Sequence, residues 1–537
     1  MRSPARSIAA RIVVALAGTT LSLMPIPASA ADPLPRVPPG FAVTAYAQVP
    51  GAATSLAFGP DTRDSAGSRL YVTDYVGGRI LVIDDVGGAT GATAVYASGF
   101  RNPLGVTAAP DGTVFVADSE ASRSGPFGTR TYGRVWRVAD ANKDGVGDAP
   151  QVVLKDLPNG RHNTNGMSIG PDGMLYVANG NSTDNGVVGG EPEVVPWSGS
   201  VVRIDPQATG VSLSSLDPED ALVASGMRNV YDAIFSPVDP SQIYIPMNGA
   251  DDPESDDLLY RTDVNDTKLV QDPSTGEMVE KQVIDDFGFP SCLYNESARG
   301  NLEPFQNPHA PTIQRFGPCD TATVPRPVSS YGLHVSANGS AFQTTNAWGE
   351  AFRNDLFTAE WGNLFVTDSL DYPLVGHEVV RVELDPSGTH AVRQSEFLSG
   401  AAPIDLVFDA AGAMYALDFS GTIFKVTKVV DVPKVVEVQM NAFQFAPAAL
   451  TIPQGTTVRW RNQDVLGMTH NVRSQAAVRP NGAQETGSEI DSPALSVGGS
   501  AHEFRFDQLG AYKYTCTLGI AHEALMHGTI TVVPAGS

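Results

Sequence analysis

The chain has 537 residues, 42% of them hydrophobic and 18% charged, with 53 glycines, 40 prolines and 3 cysteines. That length holds core enough for two domains, and three cysteines are too few to staple a scaffold of this size. A formal charge of −24 excludes general affinity for nucleic acid or anionic membranes, and no CxxCH run is present to anchor a c-type haem.

Arg2, Arg6 and Arg11 precede the apolar run of residues 12–17, and Ala28-Ser29-Ala30 offers small residues for cleavage. Residues 1–30 are therefore predicted to be a secretory signal peptide, with an uncleaved N-terminal anchor as the alternative. No later stretch approaches the roughly 18 apolar residues that a membrane span needs. The expectation is a periplasmic or secreted protein without a membrane span.

From about residue 40 to 428 one short phrase keeps returning. Pro110-Asp111-Gly112-Thr113-Val114-Phe115-Val116-Ala117-Asp118 is echoed by Pro171-Asp172-Gly173-Met174-Leu175-Tyr176-Val177-Ala178-Asn179. Weaker copies lie at residues 70–74, 242–245, 355–359 and 412–418. A turn followed by a β-rich run, repeated about six times, is the signature of radial blades. The fold class predicted is all-β: a six-bladed β-propeller over 38–427, with the last copy closing on the strand near Phe41-Ala42-Val43. The gap between the fourth and fifth copies exceeds one blade, so 261–330 is an insertion. It carries Cys292 and Cys319, which in an exported chain are expected to form a disulfide, two free thiols being the alternative.

The segment Asp140-Ala141-Asn142-Lys143-Asp144-Gly145-Val146-Gly147-Asp148 alternates oxygen donors around a glycine turn, as calcium loops do. It lacks the downstream glutamate of an EF-hand. A structural calcium held by Asp140, Asn142, Asp144 and Asp148 stands beside a merely solvated acidic turn as the two readings.

Residues 428–433 read as a linker, and a second all-β unit, a Greek-key sandwich, is predicted over 434–534. Alternation in Val458-Arg459-Trp460-Arg461 and His502-Glu503-Phe504-Arg505-Phe506 suits half-buried strands. The third cysteine, Cys516, is followed by His522, Met526 and His527, and His470-Asn471 lies upstream. Two imidazoles, one thiolate and a thioether form the ligand set of a blue-copper (type 1) centre, whose geometry serves both oxidation states. Zinc is the alternative metal, which a lone cysteine disfavours.

At these residues the chain resembles the cupredoxins, the plastocyanin- and azurin-like copper proteins. Residues 440–447 and 450–460 are similar to their opening strands. The resemblance implies copper ligands at His470, Cys516, His522 and Met526, with Asn471 bonding near the thiolate. Five residues between Cys516 and His522 make a longer loop than most relatives have, which leaves His527 as a rival to Met526 for the axial place.

The first region resembles the soluble quinoprotein glucose/sorbosone dehydrogenases, six-bladed propellers that use pyrroloquinoline quinone (PQQ) and calcium. Gly160-Arg161-His162-Asn163-Thr164-Asn165-Gly166 precedes a Gly-Pro-Asp turn as the family's general base does. The resemblance implies His162 as base and Arg228, in Gly226-Met227-Arg228-Asn229, as cofactor contact and charge stabiliser. It also implies a calcium turn near Met247–Asp252. Residues 286–290 resemble the family's Tyr-Gly-Trp-Pro segment, but Ala359-Glu360-Trp361-Gly362-Asn363 lacks the basic partner of its later motif. Arg101, Arg161 and Arg353 are the other candidate cations for a carboxylated quinone. Five histidines in the propeller are too few for a multicopper cluster of the nitrous oxide reductase kind.

Two functions follow as expectations. One is an exported dehydrogenase that oxidises a sugar or alcohol and passes electrons through copper to an external redox partner protein. The other is a non-catalytic propeller, a docking scaffold that carries a blue-copper electron carrier.

Overall fold

The computed structural model describes residues 34–533 apart from 85–91, 189–190, 193–194, 252–253, 272–273, 310–317, 364–374, 430–434, 475–476, 479–483, 486–489 and 500. The expected signal peptide and most of the expected linker lie outside the described residues.

Six sheets of four or five strands follow one another along residues 41–428. Each recurring phrase of the sequence becomes the second strand of its sheet: Asp64–Asp74, Val114–Ser119, Leu175–Asn179, Gln242–Asn248, Leu356–Glu360 and Met414–Asp418. The last five of these are buried along their whole length. A strand covered on both faces reads as a continuous apolar run, which is why these segments stand out while the outer strands do not.

The first strands, Leu56–Asp61, Gly105–Ala108, Thr164–Ile169, Ala337–Phe342 and Pro403–Phe408, pack side by side through the short strands Asn229–Val230 and Ile234–Phe235. A separate hydrophobic core fills each interval between neighbouring sheets, including the one between the sixth and the first. The fourth strand of the sixth sheet is Phe41–Gln48, paired antiparallel with Thr422–Lys428 so that Phe41 faces Lys428 and Val43 faces Val426. Burying apolar surface at about 25 cal/mol per Å² drives such stacking, and Phe41 alone packs edge-on against Trp348, Phe352 and Phe397.

The insertion leaves the fourth sheet after Asp257–Asp263 and returns at Ser329–Gly332. On the way it adds Asp285–Asp286 to the edge of the third sheet. Cys292 and Cys319 are disulfide-bonded, with Cα atoms 4.9 Å apart.

Residues 435–533 form two further sheets around one core. In Thr456–Asn462 buried and half-buried positions alternate strictly, so Val458 and Trp460 point inward and Arg459 and Arg461 outward. His527–Val533 alternates in the same way. The described residues contain few helices, none longer than the six residues of Ile520–Leu525. No described helix is long and apolar enough to cross a membrane.

Candidate functional site

The second region gathers its metal-binding side chains at one end of the core. Strand Gly510–Thr515 delivers Cys516, the turn Ile520–Leu525 delivers His522, and an antiparallel bridge to Leu495 fixes His470. Cys516 Sγ lies 3.8 Å from His470 Nδ1 and 3.5 Å from His522 Nδ1. Among the described residues this is the one His, Cys, Asp and Glu group whose donor atoms all lie within 4.8 Å of each other. All three side chains are buried.

Met526 is wholly buried in the same core, and its carbonyl accepts the Cys516 N–H at 3.2 Å. The His527 side chain is exposed and its Nε2 turns toward the Ala524 carbonyl at 3.3 Å. The Asn471 N–H points to Cys516 Sγ at 3.5 Å, and its side chain is locked to Thr517 by two hydrogen bonds of 2.9 and 2.8 Å. The donor set fits copper: one sulfur, two nitrogens and a buried thioether in a dry setting, with an N–H steadying the sulfur.

In the first region a cavity of about 390 Å³ is lined by Arg228, Asn248, Asp251, Glu254, Asp257, His334 and Trp361, among others. His334 and Ser336 hold φ at 58° and 54°, a left-handed strain that collects at binding sites. Asp257 accepts the N–H groups of Gly249 and Ser336, both at 2.6 Å. Burial nevertheless pushes its pKa up to about 6.

His162 is not among the residues that line this cavity, but it lies near Arg228, which is. Its Nδ1 lies 2.8 Å from the Asn181 carbonyl, which can only accept, so the proton sits on Nδ1 and Nε2 keeps the basic lone pair. Burial, then the charges of Arg228 and Arg161, hold its pKa well below the usual histidine value, and the ring is neutral. A side chain at Gly180 would meet His162 Cβ at 2.6 Å, so only glycine lets the two segments approach.

The predicted cations fare unequally. Arg228 is buried and ion-paired with Asp184, and its Nη2 lies 3.2 Å from Asp251. Arg161 is paired with the same Asp251. Arg353 lies by the opposite end of strand Gln242–Asn248, in a separate cavity, 3.8 Å from Glu350. Arg101 is exposed, and its backbone N–H donates to Asp118 at 2.9 Å. Sequence reasoning missed Asp184, because its partner is 44 residues away with no motif linking them.

In the acidic turn, Asp140 accepts the N–H groups of Asp144 and Gly145 at 3.1 and 2.9 Å and the Thr62 hydroxyl. Asn142, Asp144 and Asp148 likewise accept from the backbone of their own loop. Asp140, Asp144 and Asp148 do not meet within the distance that unites the Cys516 group.

A family model described as copper binding proteins, plastocyanin/azurin family, matches residues 432–533. A plastocyanin from Scenedesmus fuscus is 37% identical over 94 residues, spanning 17% of this chain and 89% of the relative. Through its C-terminal domain the chain belongs to the plastocyanin/azurin family of copper-binding proteins.

A second model, a domain of unknown function (DUF7133), matches residues 68–220. Among solved structures, the calcium form of a family AA12 carbohydrate-active enzyme from Trichoderma reesei aligns with a TM-score of 0.55 and 16% identity. It covers 75% of this chain and 98% of that one. The holo PQQ domain of pyranose dehydrogenase from Coprinopsis cinerea aligns at 0.53 and 16%, covering 73% and 97%. The large region therefore shares the fold of those enzymes, and the cupredoxin domain is joined to it in one chain. The site also holds a residue that motif reading passed over: a buried Asp464 behind His470.

Proposed function

We propose that the chain is an exported electron-transfer oxidoreductase. Its cupredoxin domain holds a type 1 copper through His470, Cys516, His522 and Met526, and hands electrons singly to an external redox partner protein. The observation that carries this reading is the convergence of one sulfur and two imidazole nitrogens, all buried, within 4.8 Å. The six consecutive sheets with a core in every interval support a closed six-bladed propeller, with the domain boundary in 428–433.

For the propeller we read a sugar or alcohol dehydrogenase site at the cavity walled by Arg228, Asp251, Glu254 and Asp257. Three carboxylates on PQQ would meet a wall whose cation, Arg228, is already paired with acids. The residues fit the quinone together with a divalent cation, calcium, for which Asp251, Glu254, Asp257 and the carbonyls of residues 247–250 are suitable hard donors. Bound there, the quinone supplies a two-electron acceptor. His162 Nε2, neutral and basic, takes the substrate hydroxyl proton. Arg228 is the fixed positive charge beside it. The Asp140 loop is a candidate structural calcium site between blades, with a solvated acidic turn as the alternative.

The neutralised arginines favour a second reading, a non-catalytic docking propeller. Adding PQQ and calcium to the purified chain, then screening aldoses and alcohols with an artificial acceptor, separates the two. Quinone binding with turnover supports the dehydrogenase; neither leaves the scaffold carrying a copper domain. An intense visible thiolate-to-copper band is expected in both cases, and its absence overturns the copper assignment.

A further inference from the structure

Asp464 is a carboxylate in a place that ordinarily excludes one. Its side chain and that of His470 have no solvent exposure at all, and its Oδ2 lies 2.7 Å from His470 Nε2. Its other oxygen, Oδ1, accepts the Leu466 N–H at 2.6 Å.

The loop is pinned at both ends. Asn462 donates to the carbonyls of Met468 and Leu495 at 2.8 and 2.7 Å, and its Oδ1 accepts the Asp464 N–H at 2.9 Å. His470 in turn exchanges both backbone hydrogen bonds with Leu495, at 3.1 and 2.7 Å. Asp464 is therefore presented to the imidazole by fixed backbone.

A neutral imidazole carries one N–H. With a carboxylate oxygen at Nε2, that proton sits on Nε2, and the lone pair is on Nδ1, the atom that faces Cys516. His522 differs: its ring packs against Phe443 at 5.1 Å, and among the described residues no hydrogen bond joins it to a carboxylate. A copper ion with one thiolate and two imidazoles carries +1 when oxidised and 0 when reduced. A buried carboxylate turns these into 0 and −1, and an uncompensated buried charge is the costlier state.

We infer that Asp464 is a positioning residue that selects the metal-binding tautomer of His470 and holds the copper toward its oxidised form. This rests on the copper reading above, and nothing in the family match assigns it.

The test uses the full-length copper-loaded chain, equilibrated with a one-electron mediator couple of known potential. Asp464→Asn keeps an oxygen for the Nε2 proton but removes the charge. It is expected to keep the visible band while shifting the equilibrium toward Cu(I) at least tenfold, which is 59 mV for a one-electron couple. Asp464→Ala is expected to lower copper affinity by tenfold or more, as loss of such a partner does elsewhere. An Asp464→Asn equilibrium within twofold of wild type overturns the inference.

A second measurement needs no variant. In the Cu(I) wild-type protein the His470 Nε2 proton is expected as a slowly exchanging, strongly downfield proton resonance. Rapid exchange with solvent overturns the inference. Failure of the wild type to bind copper would instead defeat the underlying reading, so the two failures are distinct.

Discussion

His162 and His470 are both held by an oxygen on one ring nitrogen, yet their settings are opposite. His162 rests on a neutral carbonyl near Arg228, which lines an open cavity rich in carboxylates where backbone strain collects at His334 and Ser336. His470 rests on a buried carboxylate inside a closed apolar core, and its other nitrogen faces a thiolate. A site that must admit and release a molecule needs exposure and spare polar groups. A site that moves only an electron is better sealed, because little around it then has to rearrange. Architecture follows the same division: the second strands of five propeller sheets are buried on both faces, whereas strands of the small sandwich such as Thr456–Asn462 alternate.

The sharpest way to break this contrast is at sulfur. Cys516→Ser is expected to abolish the visible copper band completely in absorption spectra, while sugar-dependent reduction of an artificial acceptor at the propeller survives. Next, His162→Ala is expected to cut that turnover by about 100-fold or more, with the copper spectrum unchanged. Steady-state rates with the quinone and calcium supplied would check it, and an unchanged rate would remove the base assignment.

Stability separates the regions too. Trp460 is wholly buried in the sandwich core. Trp460→Ala is expected to cost that domain about 3–5 kcal/mol. Calorimetry should show one transition falling while the propeller transition stays in place.

The smallest effect concerns the propeller hub. Asp232 and Asp405 line a common cavity there, Asp405 buried and Asp232 half-buried. Burial pushes both carboxyl groups up, and the negative charge of Asp232 raises Asp405 further. A group whose folded pKa exceeds its unfolded value binds more protons in the native state. Its contribution is complete below the ordinary value of 3.8 and is lost as pH rises through the raised one. Propeller stability should fall from about pH 4 to pH 8, and Asp405→Asn should flatten the fall by about 1–3 kcal/mol in denaturant titrations.

Legibility in the sequence tracked burial and locality. Five of the six second strands are covered on both faces and so announced themselves, while outer strands such as Thr93–Ser98, exposed at four of its six positions, carried no pattern. Cys516, His522 and Met526 fall within eleven residues, so a motif reveals them. Asp464 was readable in principle as a lone acid before an apolar loop, yet its worth depends on a hydrogen bond that only the folded loop creates. The pairing of Arg228 with Asp184 joins two different turns, and no local rule connects them.

The marriage of Phe41–Gln48 with Thr422–Lys428 sets a timetable for biogenesis. Gln48 and Thr422 are 374 residues apart in the chain, yet their side chains hydrogen-bond at 2.9 Å. The earliest strand of the large region must wait unsatisfied until nearly the last one has been synthesised, a non-local contact of the slowest kind. The small sandwich finds all its partners within about a hundred residues and can mature at once. An interruption during assembly would therefore strand the large region with an open seam at the sixth sheet, long after five of its six sheets had formed.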